Sequence, residues 1–231
     1  MSTRSNFELV VVCNGGDQKP LPPISGVGVI NRPNHGYNIG AWDAGWRALS
    51  DRGFKYFVFL QDDCFLKTCS WLEAFEERFE HDAGVGVLGE SFVWDRMGWD
   101  YIRWATDRHF PPTAADLASE EHVIDTYRTY IEGRGIDHGG EGTHLQSLVL
   151  AARNEVLQQT NGFPTGSTYR EAVGCEIAFS RMVESLNWRL SLVGPRPFSV
   201  VGHRQWTRRH RIYSSTRAKL AGIARSLGLK S

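Results

Sequence analysis

The sequence predicts an α/β protein built on a doubly wound, mostly parallel sheet with helices on both faces. Three observations predict this fold class. Short β-branched runs alternate along the chain with segments whose apolar residues recur at helical spacing. The chain has 231 residues, 41% of them hydrophobic, which is enough for one substantial core. Polar residues directly follow several of the apolar runs, as they do where parallel strands end at a ligand-binding edge.

The first half of the chain predicts four strands and two helices. One helix begins at Asn38 as its N-cap and stops at Gly53, with tryptophans on its apolar face. The other begins with a capping box of Ser70 and Glu73 and ends at Gly84. The predicted strands are ELVVVCN from Glu8, VGVI from Val27, KYFVFL from Lys55 and VGVL from Val85.

The second half is less regular. Residues 90–112 mix tryptophan, tyrosine and aspartate, and two interpretations remain open: a face that stacks on sugar rings, or a small aromatic core beneath a long loop. Later segments return to the alternating pattern. They predict a helix over 113–131, a Gly-rich loop over 133–142, a strand over 147–153, a helix over 174–187 and a final strand in RLSLVG.

The positions of polar residues at the ends of the predicted strands indicate a candidate ligand-binding site. The buried run FKYFVFL ends on Gln61, Asp62 and Asp63, and burying an unpaired carboxylate costs several kcal/mol. Such a pair at a strand end therefore indicates a cleft that contains a cation or hydroxyl groups. Asn14 and the loop 34–38 reach the same edge of the predicted sheet. Because a helix begins at that loop, its free N–H groups favour a phosphate, and the whole edge suits a nucleotide.

Four segments, taken in order, resemble the inverting family 2 glycosyltransferases with a GT-A fold. The resemblance covers about residues 8–206 and predicts a GT-A-like domain over 1–206. It implies transfer of a sugar from a nucleotide-diphosphate donor to a hydroxyl of a glycan or lipid-linked acceptor, with inversion, using Mg²⁺ or Mn²⁺ and a glutamate base. Surface polysaccharide or glycan assembly is the expected setting. The segments are VVVCNGG, NRPNHGYNIGAWDAGWRAL, FVFLQDDC and GFPTGSTYREAVGCEIAFSRMVESLNWRL.

The resemblance also assigns donor-binding and metal-binding roles. Asp63 stands where the family holds the metal ion, and Asp62 would lie beside the sugar or ribose. Gln61 replaces an aspartate of the family motif, so it can hydrogen-bond a ribose but adds no charge. His203 could complete the metal shell, or it could simply cap a strand end. The residues assigned to the nucleotide side are Asn14, Asn34, Gly36 and Asn38.

Glu176 matches the family position of the catalytic base. Inverting transfer needs a base that takes the proton from the acceptor hydroxyl. Because the usual acidic neighbour is missing, Glu171 remains a second candidate. The simpler interpretation of Glu176 is a glutamate in the first turn of a helix from Gly174, where it stabilises the helix dipole.

Two other functions remain open. No counterpart of the family's first strand and helix precedes Phe7, which is compatible with a noncatalytic module that binds carbohydrate or nucleotide on the same fold. A nucleotidyltransferase shares a similar core, but its Gly-rich basic loop after the first strand fits CNGGDQKPLPP poorly.

Charge and cysteine usage indicate location and partners. Lys plus Arg equals Asp plus Glu at 26 each, so net charge gives no steering toward nucleic acid, and no nucleic acid partner is expected. Residues 207–231 form a basic tail predicted to be helical, which either packs on its own domain or contacts an anionic membrane as a peripheral protein. The N-terminal apolar run is too short for a signal peptide, and four unpaired cysteines suit a reducing compartment. We expect a cytoplasmic protein.

Overall fold

The computed structural model describes residues 7–15, 24–109 and 121–207. This part of the chain is a mixed α/β structure of helices and small sheets, so the predicted class is confirmed at that level. Most of the predicted basic tail, residues 208–231, lies outside the described residues. Within the described residues, every helix is too short or too polar to cross a lipid bilayer.

The α-helices and strands are numbered here in chain order. Most predicted strands are present, with ends shifted by one or two residues, as is usual. The helices are α1 (Tyr37–Leu49), α2 (Trp71–His81), α3 (Trp99–His109), α4 (Val123–Glu132), α5 (Asn154–Gln159) and α6 (Tyr169–Ser185). The strands are β1 (Leu9–Asn14), β2 (Val27–Arg32), β3 (Tyr56–Leu60), β4 (Cys64–Leu66), β5 (Val85–Gly89), β6 (Phe92–Val93), β7 (His144–Leu145), β8 (Val149–Arg153), β9 (Arg189–Leu192) and β10 (Val201–His203).

The sheets differ from the single, mostly parallel sheet that was predicted. The largest has four strands in the order β3-β8-β5-β9, and β8 is antiparallel to both of its neighbours. Strands β5 and β9 are parallel, as are β1 and β2, which form a separate pair. The pairs β4–β10 and β6–β7 are antiparallel. A short apolar run is buried on both faces whichever way it points, so its composition does not reveal its direction.

The four-stranded sheet has helices packed on both faces. Strand β3 shows why: Phe57 and Phe59 contribute to a core with α1 and α6, whereas the alternate residue Val58 packs toward a second core with α2. In the first core the rings of Trp42 and Phe59 lie 5.6 Å apart between centroids. In the second, Phe79 is fully buried. The period of two in β3 thus places α1 and α6 on one side of the strand that ends just before Gln61.

Two predicted helix starts are wrong, and a third is at the predicted residue but lacks its predicted capping bond. Helix α6 begins at Tyr169 rather than Gly174, because Thr168 and Glu171 form a capping box. Glu176 is therefore about two turns inside the helix, where the helix-dipole explanation does not apply. Helix α1 is preceded by Gly36 at a φ of 76°, so Asn38 is not its N-cap. At α2, Ser70 precedes the first residue without a side-chain cap.

The aromatic segment after β5 contains a helix, α3, that the sequence did not predict. Trp99 is 6% exposed and donates its indole N–H to the Gly139 carbonyl oxygen. Trp94 packs beside Trp99, which supports the interpretation of a small aromatic core for these two residues. Tyr101 and Trp104 are instead about half exposed on α3.

Candidate functional site

The end of β3 positions the predicted acidic pair. Gln61 follows the last residue of the strand, and the chain turns there because the Cys64 N–H donates to the Gln61 carbonyl oxygen at 3.2 Å. Asp62 is exposed at this turn. Asp63 is half-buried, with 31% of its side chain exposed, and points toward β10. The two adjacent aspartates therefore have different environments.

Asp63 contacts His203, the other residue predicted to bind the metal. Its Oδ1 atom is in direct contact with His203 Nε2, and the His203 side chain is completely buried. Neither atom has a hydrogen-bond partner of acceptable geometry within the described residues. Two buried polar atoms in direct contact whose geometry does not suit a hydrogen bond are unusual in native proteins. A carboxylate and an imidazole in this arrangement form an ion pair when the imidazole is protonated, and they are also two ligand types that bind divalent ions.

His203 is held in place by strand pairing and by a buried glutamate. Strand β10 pairs antiparallel with β4, which places His203 opposite Cys64. Glu90 is 1% exposed and accepts hydrogen bonds from the backbone N–H groups of Val200 and Val201. Burial raises the pKa of the Glu90 carboxyl. This glutamate thus fixes the strand that carries His203.

The donor set at this position fits a hard divalent ion in part. Asp63, Cys64 and His203 place ligand atoms within 4.8 Å of one another. The Cys64 thiol donates to the Leu148 carbonyl oxygen at 3.3 Å, and burial raises its pKa to about 11, so it stays protonated and does not suit the ion. A carboxylate and an imidazole remain, which is sufficient where a diphosphate and water supply the other ligands of Mg²⁺ or Mn²⁺.

Ser147, in the connection between β7 and β8, joins three of the predicted site residues. Its carbonyl oxygen accepts hydrogen bonds from Asn38 Nδ2 at 2.8 Å and from Gln61 Nε2 at 2.7 Å. Its own N–H donates to Glu176 Oε2 at 3.2 Å. The start of α1, the end of β3 and the middle of α6 therefore meet at one buried residue.

Glu176 has the environment of a base that works near neutral pH. Its side chain is 18% exposed, and burial raises its pKa to about 7, against an ordinary value of 4.5. Hydrogen bonds from Ser147 oppose this rise, because they stabilise the carboxylate. The raised value means that the carboxylate binds a proton readily but is still partly ionised at pH 7.

His144 is the imidazole that faces Glu176. Its Nε2 atom lies 4.0 Å from Glu176 Oε2, and its side chain is 2% exposed. Its Nδ1 atom bonds to the Gly142 carbonyl oxygen at 2.8 Å, which requires the proton to be on Nδ1. Burial lowers the pKa of His144 to about 4, so the ring is neutral at pH 7.

Glu171, the second candidate base, has a structural task. Its carboxylate accepts hydrogen bonds from the backbone N–H groups of Ser167, at 2.5 Å, and Thr168, at 3.1 Å. These contacts complete the capping box at the start of α6. Glu171 therefore fixes the helix that carries Glu176.

The residues predicted for the nucleotide side lie around the ends of β1 and β2. Asn14 donates to the Tyr37 carbonyl oxygen at 2.7 Å and accepts from Arg32 at 3.1 Å. Arg32 forms no ion pair with any carboxylate of the described residues. Asn34 and Gly36 line a cavity of about 360 Å³ together with Arg32, Arg47 and residues 165–167. A larger groove of about 490 Å³ runs along β9 and contains none of the predicted site residues.

The sequence analysis did not identify Ser147 or the contact of His144 with Glu176. A backbone donor carries no residue-type signal, because any residue at that position offers the same N–H group. His144 was visible in the sequence, but its partner lies on another element 32 positions along the chain. Only the packing of β7 against α6 brings the two together.

Comparison with models of known protein families gives no match, and comparison with curated proteins gives no significant match.

Proposed function

We propose that this protein is a metal-dependent inverting glycosyltransferase with a GT-A-like domain, which moves a sugar from a nucleotide-diphosphate donor to a hydroxyl of a glycan or lipid-linked acceptor. The observation that carries the proposal is a pair of unlike carboxylates near one strand end. Asp63 faces a buried imidazole, whereas Glu176 is buried with a raised pKa of about 7. Two such carboxylates support different tasks in one reaction.

Glu176 acts as the base of the transfer. Its carboxylate accepts the proton of the acceptor hydroxyl while that oxygen forms a bond to the anomeric carbon of the donor. The bond from the anomeric carbon to the diphosphate oxygen breaks in the same step, and its electron pair leaves with the diphosphate. Because the acceptor attacks from the face opposite the leaving group, the configuration inverts. The proton passes from Glu176 to solvent.

Asp63 and His203 are the residues that would hold the divalent ion. When bound, Mg²⁺ or Mn²⁺ neutralises the negative charge that develops on the leaving diphosphate. His203 must present an unprotonated Nε2 atom to the ion, so the proton on that nitrogen has to leave or move to Nδ1. The Gln205 N–H that now donates to Nδ1 does so at 3.3 Å, a long and therefore weak bond.

The cavity beside α1, whose lining contains Arg32 and Arg47 as well as Asp43, supports a donor that carries phosphate. Arg32 has no carboxylate partner in the described part of the chain, and its guanidinium lines the cavity with Asn34 and Gly36. A guanidinium without an acidic partner favours an anionic group of a ligand.

A donor panel tests the proposal. Uridine, guanosine, thymidine and cytidine diphosphate sugars are screened by thermal shift with and without Mn²⁺, because a ligand that binds only the folded protein raises its melting temperature. Donors that stabilise the protein are then tested for release of the nucleoside diphosphate. We expect at least one donor whose binding and hydrolysis both require the metal.

The Asp63→Ala variant is the matched control in this screen. It should remain folded and lose the metal-dependent shift, since the side chain is partly exposed at a strand end. Metal-independent binding without turnover in the wild-type protein would instead favour a noncatalytic binding module. Pyrophosphate release from a nucleoside triphosphate would favour a nucleotidyltransferase.

A further inference from the structure

We infer that Asn38 and Gln61 are positioning residues for Glu176, acting through Ser147, and are not ligands of the donor as the family resemblance implies. For its catalytic consequence, the inference rests on the proposed function. The positioning itself is a property of the folded protein, and it can be measured without any substrate.

The side-chain amide nitrogen of Asn38 is directed at Ser147. Its Nδ2 atom lies 2.8 Å from the Ser147 carbonyl oxygen and 2.9 Å from Ser147 Oγ, within hydrogen-bond distance of both acceptors. Asn38 is the second residue of α1, so these bonds anchor the start of that helix to the β7–β8 connection.

Gln61 completes the coordination of the same carbonyl group. Its Nε2 atom donates to the Ser147 carbonyl oxygen at 2.7 Å, and its backbone N–H donates to the neighbouring Leu148 carbonyl oxygen at 3.2 Å. A carbonyl oxygen has two lone pairs, and two amide donors occupy both of them here. The Ser147 side chain is also buried, because the residue is only 2% exposed.

The direction of the Ser147 N–H group follows from these bonds. The carbonyl oxygen and Oγ of Ser147 are anchored by α1 and β3, and the same residue bonds to Glu176 through its N–H group, at 3.2 Å from Oε2, and through its side chain. Glu176 belongs to α6, which reaches this point from a different part of the chain. Asn38 and Gln61 thus determine where the carboxylate of the base is held.

The kinetic consequence differs from that of a donor ligand. A residue that binds the donor equally in the ground state and the transition state affects KM, whereas a residue that orients the base affects kcat. Misplacing a catalytic group by about 1 Å can cost about 100-fold in rate. Loss of either amide should therefore lower kcat and leave donor affinity nearly unchanged.

The variants Asn38→Leu and Gln61→Met remove one amide each and keep similar side-chain size. Asn34→Leu is the matched control for Asn38→Leu, since Asn34 lies in the loop just before α1 and lines the cavity. We expect kcat to fall about tenfold to 100-fold in the first two variants, with donor Kd within about twofold of wild type. The control should weaken donor binding and spare kcat. A tenfold loss of donor affinity with unchanged kcat in Asn38→Leu and Gln61→Met would overturn the inference.

An NMR titration gives a readout that needs no activity. In the wild-type protein the Ser147 amide proton should follow the titration of Glu176 near pH 7, because the two groups are hydrogen-bonded. In Asn38→Leu and Gln61→Met that response should weaken, and the midpoint for Glu176 should rise as the carboxylate loses a donor. His144 is the titratable side chain that faces Glu176, and with a pKa of about 4 it is already neutral over this range.

The titration separates the failure of the inference from that of the proposed function. If the Ser147 amide responds identically in wild type and both variants, Asn38 and Gln61 do not position Glu176. If the Ser147 amide follows the titration of Glu176 and this response weakens in both variants, but no donor is ever turned over, the glycosyltransferase proposal fails and the positioning inference stands. Gln61→Met provides the test should Asn38→Leu fold poorly, since Gln61 lies at the partly exposed end of β3.

Discussion

Two pairs among the described residues each combine one carboxylate with one buried histidine. They differ in which imidazole nitrogen carries the proton of the neutral ring. In the first pair, Asp63 faces Nε2 of His203, whose Nδ1 accepts a hydrogen bond from the Gln205 N–H. A neutral His203 therefore carries its proton on Nε2, toward the carboxylate. In the second pair, Nδ1 of His144 donates to a carbonyl oxygen, so a bare Nε2 faces Glu176.

The difference arises because Nδ1 of each histidine bonds to a different backbone group, an N–H at His203 and a carbonyl oxygen at His144. Asp63 and His203 bring a carboxylate oxygen and an imidazole nitrogen into direct contact at a partly exposed strand end. Beside His144, burial favours the protonated acid of Glu176, so its pKa is raised to about 7. Glu176 is thus suited to exchange a proton near neutral pH.

The largest effect is expected from a substitution in the second pair, at Glu176. Glu176→Gln removes the proposed base and keeps the shape of the side chain, so transfer should fall by about 10²–10⁴ while donor binding is retained. Product formation and calorimetric donor binding measure the two quantities separately. A wild-type rate in this variant would show that another group accepts the proton of the acceptor hydroxyl.

Breaking the first pair should have a different consequence. Asp63→Asn removes the charge that favours a cation, so Mn²⁺ affinity should fall on the order of 100-fold. Mn²⁺ EPR titrations with and without a nucleoside diphosphate measure it, and Glu176→Gln is the matched carboxylate control that should bind the ion normally. Equal Mn²⁺ affinities in Asp63→Asn and wild type would show that the ion does not bind at Asp63.

The pH dependence of stability sharpens the contrast. The pKa of Glu176 is higher in the folded protein, about 7, than its ordinary value of 4.5. Its contribution to stability is therefore fully present below pH 4.5 and is lost as the pH rises through 7, by at most about 3 kcal/mol. Glu176→Gln stays neutral, so thermal unfolding should show it to be more stable than wild type at pH 8. The advantage should disappear toward pH 4.5, and a constant difference across the range would contradict the assigned pKa.

The smallest effect concerns Glu171, the second candidate base. Glu171→Gln preserves the capping box, so both stability and transfer should remain close to wild type. Glu171→Ala removes the cap and should lower the unfolding free energy by about 1 kcal/mol, measured by urea denaturation, with kcat preserved. A large loss of kcat in Glu171→Gln would return this residue to the role of base.

Several features of the candidate site were predictable from local sequence. The short apolar run before Gln61 was predicted to be a strand, and the structure ends β3 at the residue before Gln61. The start of α6 was predicted wrongly, although Thr168 and Glu171 have the spacing of a capping box. The antiparallel direction of β8 could not be predicted, because a short apolar strand has the same composition in parallel and antiparallel pairs.

By itself, the sequence determined which segments alternate between strand and helix, and it placed acidic and amide side chains just after apolar strands. Those features depend on residue type and on spacing within a single element, so they are readable locally. Only the tertiary structure decided that Asn38, Gln61 and Glu176 meet at Ser147, and that the two histidines differ in which imidazole nitrogen carries the proton of the neutral ring. These contacts depend on backbone groups and on elements far apart in the chain, whose relative placement is fixed by packing of the whole core.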